Sequence, residues 1–528
     1  MTQLAEIPVE PAGVPRAQAM LERATWASRA FARFDKATVD RIVAAAAEAG
    51  AARAEEFAQR AVDETGFGVV EHKVLKNLAC SRGLVETYRD HDYVTPRIDH
   101  NARIVEIPRP AGVVFALTPS TNPVATVFFK TLIALMTRNA IVLSPHPFAK
   151  DVCSDAALAM AEAAVAAGAP DGVIQVVTEP SVPLINALMT DPRTDVIVAT
   201  GGTPVVRAAY RSGNPSLGVG PGNVPVLVDA TADLAKAAKR IVDSKAFDHS
   251  ILCTNESVLI VEDAVADRLI RHMERNGAHL LADDERDRVR EVLFPDGHFD
   301  TRMVGKSAAW IADQAGFRVG ANTRVLLAPF DLVVPEELLA HEKLCPVLGL
   351  VRVATAGRGI DVARAVLRIT GSGHSAAIHS NDAATVMAFS AAVPVLRVAV
   401  NVGNSLGSSG LETNLPPSMT IGTGFAGRSS LGENLQPKHF VNYTRIAYNA
   451  DVAEPFGEFA GLTPWTRPLG PVPAYPLESN AAEAPAVARP ATAPALVTAA
   501  LDPVSADGDL RDEIRRLIVE ELQQIVRA

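Results

Sequence analysis

Short apolar runs alternate with longer stretches of helical composition along the first half of this chain, and that alternation restricts the fold more than any other feature. Residues 140–143, 173–177, 195–199 and 224–228 are apolar runs, and residues 150–167 have helical composition. A run that is apolar at successive positions leaves no side for solvent, so it predicts a strand buried on both faces. Such strands separated by helices predict an α/β fold with a parallel sheet covered on both sides. A nucleotide then binds at the carboxyl ends of the strands.

Residues 16–62 are rich in Ala, Glu and Arg, with apolar residues at helical spacing, and predict a helical entry that Gly66 and Gly68 interrupt. Residues 103–107 and 112–117 predict two strands joined across the turn-rich Pro108-Arg-Pro-Ala-Gly112. The second strand delivers Thr121-Asn-Pro123 to a helix starting near Pro123. A further α/β segment runs from about residue 230 to 415. Residues 471–508 are dominated by Ala and Pro and cannot build a packed core, so they predict a linker. In 509–528, Leu510, Ile514, Leu517, Ile518, Leu522 and Ile525 fall on one helical face.

With 528 residues and 48% hydrophobic content the chain can bury a large core and split into two or more domains. A net charge of −10 argues against nucleic acid as a partner. Cys80, Cys153, Cys253 and Cys345 lack metal-type spacing and fit a reducing, cytoplasmic setting without a metal site. The first fifteen residues have no basic or apolar leader pattern, so no secretory signal is expected, and no apolar run is long enough to span a bilayer.

Thr200-Gly-Gly-Thr203 follows an apolar run and precedes a predicted helix, so its backbone N–H groups can approach a pyrophosphate. Gly422-Thr-Gly-Phe-Ala-Gly427 matches the dinucleotide glycine fingerprint letter by letter. Gly432 and Pro437 interrupt any helix after it, however, and it is expected to be a loop near the substrate cleft.

An ordered set of motifs covers roughly residues 20–450: Asp63-Glu-Thr-Gly-Phe-Gly68 with residues 73–77, Thr121-Asn-Pro123, Ser144-Pro-His-Pro147, Thr200-Gly-Gly-Thr203, Cys253, His341-Glu-Lys-Leu344, Gly371-Ser-Gly-His374 and Pro437-Lys-His439. This order resembles the CoA-acylating branch of the aldehyde dehydrogenase superfamily. The resemblance implies two parallel-sheet α/β domains with an interdomain active-site cleft. It assigns 1–228 to cofactor binding, 229–415 to catalysis, 416–450 to a return segment with an oligomerisation strand, 451–508 to the linker and 509–528 to a targeting helix.

The resemblance also implies the chemistry. Cys253 attacks an aldehyde, and the thiohemiacetal collapses to a thioester; thiolates suit both steps. Val219 stands 34 residues before Cys253, where a hydrolytic relative carries a water-activating glutamate, so the expected acceptor is coenzyme A rather than water. Asn122 is the implied oxyanion donor. His374 is the implied base for the coenzyme A thiol, with a supporting structural histidine as the alternative. The implied cofactor is NAD, contacted by Ser144, His146, Pro147, Thr200, Gly201, Gly202, Thr203, Gly220 and Glu342. NADP stays open, because Ser144–Pro147 lacks the acidic residue that reads a ribose 2′-hydroxyl. The competing readings are a hydrolytic enzyme giving the free acid, and a C-terminal helix that only joins copies into a homodimer or homotetramer. The linker and amphipathic helix resemble the encapsulation peptides of bacterial microcompartment enzymes, which implies shell proteins as partners and the microcompartment lumen as location.

Overall fold

The computed structural model describes residues 13–464. The amphipathic helix expected at 509–528 lies outside the described residues, as does most of the expected linker. The helical entry forms α1 (Val14–Phe31), α2 (Lys36–Ala52), α3 (Ala54–Thr65), α4 (Val70–Ala79) and α5 (Arg82–Thr87). Gly66 closes α3 at φ 69 in the left-handed region, where glycine is the favoured residue.

Strands β1 (Arg97–Asp99) and β2 (Ile104–Pro110) pair antiparallel. Next come β3 (Val113–Thr118), β4 (Ala140–Pro145), β5 (Ile174–Val176), β6 (Val196–Ala199) and β7 (Ser216–Gly218), which form a parallel sheet in the order β5-β4-β3-β6-β7. After β3 the chain moves to β4 on one side, and later returns to place β6 on the other. The carboxyl ends of β3 and β6 therefore mark the topological switch point. Helices α6 (Pro123–Met136) and α7 (Lys150–Ala166) connect these strands.

The second parallel sheet contains β8 (Val224–Val228), β9 (Glu256–Glu262), β10 (Ala278–Leu280), β11 (Val325–Pro329), β12 (Val347–Val353), β13 (Ala376–His379) and β14 (Val398–Val400), in the order β10-β11-β12-β9-β8-β13-β14. Its two faces separate by residue parity. Leu227, Ile260 and Leu326 enter one core with Ala363, Val366 and Leu367 of the helix Ala356–Ile369. Val226, Leu259 and Leu327 enter the opposite core with Ile241 and Leu269. This period of two, with both faces apolar, explains why each strand reads as a continuous apolar run. Finally, β15 (Val441–Ala447) returns to pair antiparallel with β2.

Three expectations need correction. Residues 224–228 do not continue the first sheet: β8 pairs with β9 and β13, so the first sheet ends with β7 and the boundary falls before 228. Pro108 and Pro110 are not a turn but part of β2, opposite Tyr443 and Val441. The β1 ladder stops at Arg97 and Glu106, so these prolines have one strand neighbour, and proline is tolerated at such an edge. The linker does not begin at 451 either. Phe456 and Phe459 pack with Tyr448, and the Arg103 guanidinium donates to the carbonyls of Asn449 and Glu454.

Helix α6 anchors the first half of the molecule. Phe128 is fully buried, edge-on to Phe57 at 6.2 Å, and a Cβ at Gly50 would lie 2.8 Å from its ring. Phe128→Ala leaves a cavity that so tight a contact cannot close, and is expected to cost about 3–5 kcal/mol of stability. A urea unfolding midpoint unchanged from that of the parent protein would contradict this account of the core.

Candidate active site

The loop that carries Cys253 leaves the helix Leu234–Ala246 through an unusual backbone. Asp248, His249 and Ser250 have φ of 49°, 52° and 64°, three consecutive non-glycine residues in the left-handed region. Each costs free energy, so the surroundings must impose the conformation. Asp248 is fully buried and accepts from Val69 N at 2.6 Å; its own N–H donates to His72 Nδ1 at 2.8 Å. Lys73 and Lys76 of α4 both bring their ammonium groups to the Asp248 carboxylate, Lys73 at 3.2 Å. Those positive charges hold Asp248 below the usual carboxylate range against its burial.

Cys253 follows, half-buried. Desolvation pushes its thiol up to about 12, and the Glu342 carboxyl adds to the rise, while Arg397 acts in the opposite direction. The Glu342 carboxyl accepts from Gly222 N at 3.2 Å, and burial pushes it up to about 8. Gly222 is closely confined: an added Cβ would lie 2.1 Å from the Cys253 carbonyl oxygen and 3.1 Å from Glu342 Oε1. Glycine at 222 is therefore what lets these three residues meet.

Asn122 precedes α6, and its backbone carbonyl accepts from Thr126 N. Its side-chain Oδ1 accepts from Lys76 Nζ, and Nδ2 has a single long contact, 3.4 Å to Thr121 Oγ1. The Asn122 amide is thus joined through Lys76 to Asp248, on the loop that carries Cys253.

His374 is fully buried. Burial and Arg397 push its imidazole down to about 3. The surrounding bonds fix its tautomer. Asn404 Nδ2 donates to the Thr254 carbonyl at 2.7 Å and to Ser375 Oγ at 3.0 Å, and Asn404 Oδ1 accepts from Ser408. Ser375 therefore has its own hydrogen left for His374 Nδ1, 3.0 Å away. This arrangement leaves the fewest unmade bonds and puts the ring hydrogen on Nε2, which has no protein partner. Arg397, itself buried, holds the same loop by donating to the His374 and Gly422 carbonyls and to Asn434 Oδ1.

Of the expected cofactor residues, Thr200–Thr203 follow β6 at the switch point. Lys130, buried in α6, donates to the carbonyls of Leu117 and Val198, at the ends of β3 and β6, and to Thr200 Oγ1. Thr200 Oγ1 lies 3.3 Å from Thr420 Oγ1, and Gly220 N donates to Thr423 Oγ1 at 3.3 Å. Gly201, Gly202 and Thr203 are exposed at the start of the helix Thr203–Arg211. An added Cβ at Gly201 or Gly202 would meet nothing closer than 3.6 Å, and neither residue has positive φ. The protein's own packing thus does not require glycine there, which fits close approach of a dinucleotide to bare backbone. Ser144 is buried with no protein partner for Oγ, at the end of β4; His146 and Pro147 are exposed beside it, and His146 Nδ1 accepts from Phe148 N. Among the described residues no hydrogen bond links Ser144, His146 or Pro147 to the Cys253 cluster. Gly422–Gly427 is a loop, as expected: Gly424 N donates to Leu431 O, and Phe425 is 94% exposed.

Sequence reasoning gave no role to Lys73, Lys76, Lys130, Asp248 or Arg397. The available signal was charge out of place, since Lys130 is the single charged residue of α6. Lys73 and Lys76 stand three apart, as residues sharing one helical face do.

Residues 4–412 match the aldehyde dehydrogenase family. The chain is 38% identical over 444 residues to the bifunctional aldehyde-alcohol dehydrogenase AdhE of Escherichia coli K12, a match covering 83% of this chain and 50% of that protein. It therefore spans about half the length of such relatives. It is 35% identical to the acetylating succinate-semialdehyde dehydrogenase of Clostridium kluyveri, over 81% of this chain and 95% of that one. Among solved structures, an acetylating aldehyde dehydrogenase from Geobacillus thermoglucosidasius matches with a TM-score of 0.81 and 37% identity, over 83% of this chain and 97% of that one. The propionaldehyde dehydrogenase of Rhodopseudomonas palustris, solved with bound CoA and an acylated cysteine, matches with a TM-score of 0.75 and 28% identity, over 82% and 97%. By its ordered motifs, its two parallel sheets and these matches, the chain belongs to the aldehyde dehydrogenase family.

Proposed function

We propose that the protein is a CoA-acylating aldehyde dehydrogenase, which oxidises a small aldehyde to acyl-CoA with NAD through a thioester on Cys253. The observation that carries this reading is Val219. At the position where a hydrolytic enzyme needs a carboxylate to activate water, this chain has a buried valine whose N–H donates to Ala199 O. A thioester without a base for water persists until a better nucleophile arrives, and coenzyme A supplies a thiol.

In this scheme the Cys253 sulfur adds to the aldehyde carbon and its proton is released to solvent, while Asn122 Nδ2 and the Cys253 backbone N–H donate to the oxygen as it gains charge. Thr200–Thr203 would help hold a nicotinamide dinucleotide, which would supply the hydride acceptor needed for the thiohemiacetal to become the thioester. The coenzyme A sulfur then attacks the thioester and expels the Cys253 thiolate. A free thiol is a few per cent thiolate at neutral pH, so this step needs no strong base from the protein. His374 stays neutral and presents Nε2–H as a donor to the anion formed in acyl transfer. Ser144, His146 and Pro147 would carry the adenosine side, and Gly220 and Glu342 the nicotinamide side.

The Pro/Ala-rich segment and the amphipathic 509–528 favour a microcompartment lumen with shell proteins as partners. A structural relative, 27% identical with a TM-score of 0.76, is a propionaldehyde dehydrogenase from the fucose utilisation microcompartment of Clostridium phytofermentans. For homo-oligomers, β15 is an edge strand with no neighbour on its outer side among the described residues, which suits pairing with a second copy.

Three outcomes are expected. Sustained NADH formation by the full chain, beyond the first turnover, should require CoA and yield acyl-CoA, and Cys253→Ala should abolish it; equal turnover to free acid without CoA would overturn the acylating assignment. His374→Gln, which keeps a donor, should retain acyl transfer within about tenfold, whereas His374→Ala should lose about 100-fold, and the parent rate should show no inflection near pH 6.5. Equal losses in both variants together with such an inflection would restore the base. A fluorescent protein fused to residues 505–528 should concentrate in shells when co-expressed with shell proteins, and diffuse signal with intact shells would favour oligomerisation instead.

A further inference from the structure

The two buried lysines of α4 converge on one oxygen of Asp248, and one of them also reaches Asn122. Lys76 is 1% exposed, and its ammonium donates both to Asn122 Oδ1 and to the Asp248 carboxylate. Lys73, three residues earlier, reaches the same Asp248 oxygen, so Lys76 is not needed merely to neutralise that carboxylate. Two lysines around one carboxylate leave an excess positive charge, and the Asn122 amide oxygen is the neutral acceptor that faces it.

We propose that Lys76 is a positioning residue whose ammonium grips Asn122 and Asp248 together, fixing the amide of the oxyanion donor in register with the loop that carries Cys253. This rests on the reading of Asn122 as that donor. An amide can rotate to present either its NH2 or its oxygen, and the wrong face would repel a developing oxyanion. With Oδ1 held by a cation, only Nδ2 is left to present, and its single contact with Thr121 is too long to compete. A charged donor on the amide oxygen also polarises the group and strengthens the remaining N–H as a donor. At the other end, Asp248 is fixed by Val69 N and His72, and His72 stacks on Phe247 at 4.5 Å. Gly68 belongs to the same arrangement, since a Cβ there would lie 2.1 Å from Asp248 Oδ1. The left-handed run 248–250 is thus clamped by α4, and Lys76 ties that clamp to α6.

The test is a double-mutant cycle on the full-length protein, reading the single-turnover rate of NADH formation with aldehyde and NAD. Asn122→Ala is expected to slow the step by about 100- to 1,000-fold, the scale of one oxyanion donor. Lys76→Met should slow it by roughly 10- to 100-fold with the aldehyde KM nearly unchanged, because a misdirected amide loses much of that donor. In the Asn122→Ala background, Lys76→Met should add less than about threefold, since residues that act as one unit are not additive. Lys76→Arg, which keeps the charge and the donors, should recover most of the rate. If Lys76→Met fails to fold, Lys76→Gln is read in the same cycle. Multiplicative losses in the double variant, with Asn122→Ala slow by itself, would overturn the inference while leaving the donor role intact. An unaffected Asn122→Ala would overturn both.

Discussion

The Asp248 carboxylate joins the parts of this molecule that the proposed chemistry needs to hold together. It lies in the core with no exposed surface, and its partners are two buried ammonium groups and a backbone N–H from another part of the chain. Desolvating an ion is expensive, and removing one member of such a set leaves an uncompensated buried charge at a cost of roughly 3–5 kcal/mol. A hydrophobic replacement of the whole cluster would be no less stable in principle. What the ions add is direction: each bond fixes an atom, and the sum forces three non-glycine residues into the left-handed region just before Cys253. The backbone strain is thus offset by the contacts that also aim the nucleophile loop.

Glycine does the corresponding work on the opposite side of the site. At Gly373 an added Cβ would lie 1.8 Å from the Thr423 carbonyl oxygen, and at Gly222 2.1 Å from that of Cys253. These distances rule out any side chain, so the loops around residues 222, 373 and 423 can meet only where the chain is bare. The glycines of the site therefore divide into two kinds, and only Gly201 and Gly202 of the four were expected to be cofactor contacts. Gly222 and Gly373 are required by the protein's own packing, whereas Gly201 and Gly202 have room around them.

Much of the fold was legible because sheet burial writes itself into residue order. The apolar runs 140–143, 173–177, 195–199 and 224–228 each coincide with a strand to within two residues at either end. Their sheet membership was not legible: Val224–Val228 is buried on both faces, as β4 and β6 are, and an apolar run carries no mark of its neighbours. The same limit applied to His374. A histidine after glycine reads equally as a base for a thiol or as a supporting structural residue, whereas its surroundings depend on Arg397, Ser375 and Asn404, the first and last of which lie more than 20 residues away in sequence. Lys76 stood in a quoted motif without a role, because the two atoms it grips are separated from it by 46 and 172 positions.

The electrostatics of the site bear on why the proposed intermediate would wait for a thiol. Desolvation raises Cys253 to about 12 and Glu342 to about 8, and lowers His374 to about 3, so each group is driven toward its neutral form. Surroundings that disfavour charge in this way also disfavour generating hydroxide from water, and with Val219 in place of a carboxylate no acid side chain at that position offsets the penalty. A thiol is penalised less, because a few per cent of it is already thiolate in bulk solvent at neutral pH, whereas hydroxide must be generated from water. On this view the choice between free acid and acyl-CoA is made less by a dedicated coenzyme A base than by a dry site in which water cannot be activated.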